Sequence, residues 1–234
     1  MPRITELLLA TSRCAAFVAM LTASSVAFAA DLSSISNTDA ASALRTTLSK
    51  GAESAVASLG KSGGFLNNPA VHIPLPPAVE SSKKMLKMVG MSGQLDTLET
   101  SMNQAAEAAV PQAKTLLQKA IQNMSVQDAK QVLQGGDTAV TDFFRSKTQA
   151  DLTTLLMPIV KAKTAQVGVT QQYNALAEKG SKFGLLKPEE ANLDGYVTGK
   201  ALDGLYHMIA EEEKSIRANP AAAGASILKK VFGG

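Results

Sequence analysis

"GFLNNPAVHIPLPP", from Gly64 to Pro77, is the stretch that decides whether this chain is purely helical. Its "AVHIPLP" portion is the nearest approach to a β-strand anywhere in the sequence. Pro74 and Pro76 have no N–H to give a sheet ladder, so the segment is at most an edge strand or an extended strap. Each proline fixes its own φ and pushes the preceding residue toward extended backbone. "IPLPP" is therefore pre-set to a polyproline-like path, and alternation turns Val71, Ile73 and Leu75 to one side. Two uses follow. As a strap, the segment lays those side chains on a helical body while Asn67 and Asn68 turn the chain through side-chain-to-backbone hydrogen bonds. As a preformed rim, it offers Phe65, Asn67, Asn68, Pro69, Pro74 and Pro76 to a partner.

Outward from it, the sequence carries helical periods. Leu44, Leu48, Ala52, Ala55, Val56 and Leu59 form one face, stopped at Gly60. "AVESSKKMLKMVG" reads as a short helix ending at Gly90, with Met85, Met88 and Met91 as adaptable packing near its end. Ser92 is placed to cap the next helix, and Pro111 breaks it. Ser125 and Asp128 have the spacing of a capping box. Gly135 and Gly136 end that helix, and Asp137 is the expected N-cap of a long one kinked at Pro158. Thr170 to Gly180 reads as a short helix and the following residues as a loop. Val197, Leu202, Leu205, Ile209 and Ile216 share a face from Asp194 onward. Asn219–Pro220 opens a last helix. The expected fold is an all-α, bundle-like single domain of eight or nine helices with one proline-rich strap.

The N-terminus reads differently. Arg3 and Arg13 precede an uncharged run from Cys14 to Ala30, and Ala27 and Ala29 suit signal peptidase. This is the layout of a secretory signal peptide over 1–29, with a flexible leader over 30–40 and the helical domain over 41–234. Export with cleavage after Ala29 places the expected mature protein in the periplasm. Cleavage removes Cys14, the sole cysteine, which suits an oxidising compartment and excludes a thiolate nucleophile or metal site. No later segment is apolar enough for a transmembrane span. The formal net charge is only +3, and loss of Arg3, Arg13 and Glu6 lowers it further, so no nucleic-acid field follows.

Several blocks carry a resemblance: "GFLNNPAVHIPLP", "GGDTAVTDFFRSKT", "VGVTQQYNAL", "ALDGLYHMIAEEEKSIRANPAA" and the closing "LKKVFG". In this order they resemble an uncharacterised bacterial family, the domain-of-unknown-function family numbered forty-one ninety-seven. The resemblance spans about Ala41 to Gly233. It implies a helical protein exported in Gram-negative bacteria and assigns no catalytic residue.

The polar clusters offer little defined chemistry. "GGDT" sets glycines before a helix N-terminus, but Asp137 would repel an anion there. Arg145, beside Phe143 and Phe144, is expected to pair with one of Glu211, Glu212 or Glu213. Glu213–Arg217 and Glu211–Lys214 have ion-pair spacing for a solvated helical face. His207 and Glu211 are four apart, yet His72 is the only other histidine, and no metal or other cofactor is expected. The leading reading is a non-enzymatic periplasmic protein that binds an envelope partner, or an apolar or lipidic ligand held in a groove left by helix kinks at Pro111 and Pro158. The alternatives are a hydrolase-like enzyme using Arg145 with the glutamates, and a structural or stress-related envelope protein.

Overall fold

The computed structural model describes residues 37–88, 90–166, 170–171, 173 and 192–218. Among these residues the chain is all-helical. In order, the elements are α1 (Asn37–Gly60), α2 (Pro77–Met88), α3 (Ser92–Ala109), a 3-10 turn (Val110–Gln112), α4 (Ala113–Gln122), α5 (Val126–Gln134), α6 (Ala139–Thr164) and α7 (Leu193–Ala218). The expected signal peptide, the Thr170–Gly180 helix as a whole and the helix after Pro220 lie outside the described residues. α1 already begins at Asn37, inside the expected leader.

α6 and α7 pack most extensively, flanked by α3 and α1, and α1 also covers α4 and α5. Phe144, Leu152, Leu156 and Val160 of α6 meet Val197, Ala201, Leu205 and Tyr206 of α7 in one core. Each fully buried leucine stabilises by roughly 1.5–3 kcal/mol. All six predicted apolar positions of α1 are buried. Pro111 acts as expected: the helix tightens into a 3-10 turn and restarts as α4. Gly60 lies against the Pro111 ring so closely that a Cβ there would stand 2.6 Å from it. α6 continues without interruption through Pro158.

The helix starts hold surprises. The Ser125–Asp128 capping box forms as read. Ser92, however, is the first helical residue of α3, and the N-cap position belongs to Met91, with no side-chain bond. Thr138, not Asp137, is the N-cap of α6, and its hydroxyl donates to the Asp142 carboxylate and accepts from no backbone N–H. The missing cap is supplied from α7. Glu213 Oε1 accepts from the Val140 N–H at 3.3 Å, so a distant carboxylate serves the α6 N-terminus.

The segment between α1 and α2 is only partly extended. Residues 61–71 form successive turns, closed by Asn67 N–H to the Gly63 carbonyl and Val71 and His72 N–H to the Asn68 carbonyl. Residues 72–76 form the one continuous run without turn structure in this segment, and Pro77 already belongs to α2. Phe65, Val71, Ile73 and Leu75 are buried. Methionine packing at the end of α2 is less complete than read, since Met88 is 74% exposed.

Candidate functional site

The residues singled out in the sequence do not gather in one place. Phe65 is fully buried, and its ring sits so near Gly204 of α7 that a Cβ there would lie 2.6 Å from it. Asn67 and Pro69 are exposed, and Asn68 is half-buried, with its side chain accepting from the Ala70 N–H in the expected turn. Pro74 is exposed and its carbonyl accepts from the Tyr196 hydroxyl. Pro76 is buried and its carbonyl accepts the Val79 and Glu80 N–H groups that open α2.

What holds this segment is a polar row on α3 that sequence reasoning missed. Glu99, Asn103 and Glu107 recur every four residues, hence on one face. Asn103, wholly buried, accepts from the Ile73 N–H at 2.9 Å and donates to the Ile73 carbonyl at 2.9 Å. It thus imitates a neighbouring strand. Glu107 Oε1 accepts from the N–H groups of Phe65 and Leu66. His72 lies 3.0 Å from the Leu66 carbonyl and 2.8 Å from Glu99. The available sequence signal was two polar residues, Asn103 and Glu107, in the otherwise apolar face of an alanine-rich helix.

Arg145 is half-exposed and does not meet the glutamates. Its guanidinium stands 4.9 Å over the Tyr206 ring and 3.7 Å from Asp203. Asp203 precedes Glu211 by more than two turns of α7, roughly 12 Å along the axis. Burial holds the Tyr206 phenol above its ordinary range, and its hydroxyl meets Thr148. Glu211 pairs with Lys214, as read, and Glu212 accepts from Ser54. Glu213 and Arg217 do pair at 2.8 Å, but not on a solvated face: the Glu213 side chain is 2% exposed. Burial pushes its carboxyl above the usual range, a shift partly countered by Arg217 and the α6 N–H groups. Its Oε2 is buried with no hydrogen-bond partner, beside a cavity of about 10 Å³ among core side chains.

A concave surface forms elsewhere, where α4, α5 and α6 meet. One recess of about 240 Å³ is lined by Leu116, Lys119 and Asn123 from the α4 side and by Phe143, Lys147 and Asp151 along α6. A second, of about 450 Å³, lies between α5 and α6, lined among others by Gln131, Val132 and Asp142. Asp128, Phe143 and Lys147 line both. The two are therefore lobes of one groove, with Phe143 as its floor. Positions 143, 147 and 151 recur every four residues, which lays them in a row along α6.

Across the seam, Lys147 Nζ stands 3.6 Å from Asp128 Oδ1. That is an ion pair beyond hydrogen-bond length. Asp128 Oδ2 instead takes the Ser125 N–H at 2.9 Å and the Ser125 hydroxyl at 2.6 Å. Those bonds hold the Asp128 carboxyl below its ordinary range. In the sequence Asp128 reads as part of a capping box and Phe143 as a neighbour of Arg145, and nothing in the linear pattern joins α4 to α6. Among the described residues, no three metal-ligating side chains gather, and no helix is long and apolar enough to cross a membrane.

Neither a curated protein nor a solved structure matches the chain. A family model described as "Protein of unknown function (DUF4197)" matches residues 34–233, and the chain belongs to that family.

Proposed function

We propose that this protein is an exported, non-enzymatic binding protein of the bacterial envelope, and that it holds a segment of a partner protein in the groove of α4, α5 and α6. The observation that carries the reading is the shape and lining of that groove. An aromatic floor, Phe143, lies inside a rim of charged and amide side chains. Protein interfaces are built in that way, with an apolar anchor point and a polar border. A lipidic occupant fits less well. Five charged side chains line the groove, and Gly60 closes against Pro111 where a helix break was expected to open space. An enzyme built on Arg145 and the glutamates lacks its convergence, because Arg145 is engaged with Asp203 and Tyr206. Export rests on the signal-like residues 1–29.

The test is photo-crosslinking in the periplasm of living cells. A photoreactive residue replaces exposed Asn123, in the groove, or exposed Gln94, on α3 and outside it. A discrete adduct at position 123 and none at 94 is the expected result. Equal labelling at both positions, or none at 123, would sink the groove as the working surface.

A further inference from the structure

We infer that the groove selects a cationic side chain, arginine or lysine, of the partner segment, seated at the seam between the two lobes. This rests on the groove being the binding surface. The argument begins with Asp128. Its Oδ2 is held by both Ser125 donors at the start of α5, so the carboxylate is fixed in place. Its Oδ1 faces the seam, where the nearest cation, Lys147, stays at 3.6 Å and makes no hydrogen bond. The Lys147 side chain is 51% exposed and can swing into water at little cost. A partner's guanidinium or ammonium would bond Oδ1 at shorter range and displace it.

The surroundings agree. Asp142 and Asp151 also line the groove, giving three carboxylates against Lys119 and Lys147. Phe143 lies beneath the seam, and an aromatic ring attracts a cation seated within about 6 Å of its centre. The Ser125 hydroxyl and N–H hold the Asp128 carboxyl below the ordinary range, which favours its ionised form. Lys147 thus acts as an internal stand-in for the partner's cation, and competes with it.

That competition supplies a test whose sign is informative. The mature protein is titrated with three blocked pentapeptides, identical except for a central arginine, glutamine or glutamate, and amide NMR shifts are followed. The arginine peptide should shift amides around 119–123, 128–131 and 143–147, and the glutamate peptide should not. Lys147→Met should tighten the arginine peptide by about three- to fivefold, the equivalent of removing one exposed ion pair. Asp128→Asn and Asp151→Asn should each weaken it, with Asp151→Asn leaving the α5 cap untouched should Asp128→Asn impair folding. Preference for glutamate, or weaker binding in Lys147→Met, would overturn the cationic assignment. So would silence from all three peptides while the position-123 adduct still forms, an outcome that leaves the groove itself standing. Absence of that adduct is the separate failure of the groove.

Discussion

Asn103→Ala should unfold this protein several degrees early, although it deletes only a few atoms. Asn103 is 0% exposed and makes three hydrogen bonds, two to the backbone of Ile73 and one to the Glu99 carbonyl. Alanine leaves the Ile73 N–H and carbonyl facing α3 without partners. A buried polar group without a partner costs about 1–3 kcal/mol. Two such groups give about 2–6 kcal/mol, and a value of about 3 kcal/mol, in the lower half of that range, is carried forward. For a domain of this size, 1 kcal/mol moves the melting temperature by roughly 2–4 °C, so a drop of about 6–12 °C is expected. The assay is far-UV circular dichroism on heating, with Gln104→Ala as the control. Gln104 is exposed on the same helix, and its loss should stay within about 0.5 kcal/mol of wild type. Hydrogen exchange at the Ile73 amide should also quicken in Asn103→Ala alone. A melt within about 2 °C of Gln104→Ala would refute the idea that α3 side chains stand in for a neighbouring strand.

Two glycines of α7 should respond in opposite directions. Gly204→Ala drives a Cβ to 2.6 Å from the buried Phe65 ring and should cost about 1–3 kcal/mol. Gly199→Ala meets nothing within 4 Å and should gain up to about 1 kcal/mol from helix propensity, both read by urea unfolding. Ser125→Ala removes the α5 cap and should cost about 1 kcal/mol in the same assay. Glu213 carries a pH signature. Its carboxyl is raised in the fold by burial, so the folded state binds its proton more tightly than the unfolded chain does. Its favourable contribution is complete below the ordinary glutamate value and is lost as pH rises through the raised one. Wild type should therefore lose stability over that window relative to Glu213→Gln, measured as the difference between their urea midpoints at each pH. Parallel curves would contradict a buried, perturbed carboxylate.

The helical periods carried most of the architecture, because they record burial directly. The face from Leu44 to Leu59 is buried throughout, and the α7 face from Val197 to Ile209 lies in the same core. Local chemistry was legible in some places where its partners were close in sequence, as with Ser125 and Asp128 or Asn68 and Ala70, but not at Ser92 or Asp137. Contacts between distant segments were not. The α6 N-terminus takes its cap from Glu213, 73 residues away, so no local rule could have rejected Asp137. Arg145 found Asp203 rather than the glutamates because the turn of α7 facing it lies well before Glu211. The groove is hidden for the same reason. Asn123 follows α4, Asp128 is on α5 and Lys147 on α6, and each has an ordinary local explanation.

Hydrogen exchange of the purified protein lacking residues 1–29, with and without an extract of the proposed compartment, the periplasm, tests the groove most directly. The prediction is slower exchange confined to 119–123, 128–132 and 143–151, reversed by excess arginine pentapeptide. Protection centred instead on 64–77 and α2, or none anywhere, would contradict it.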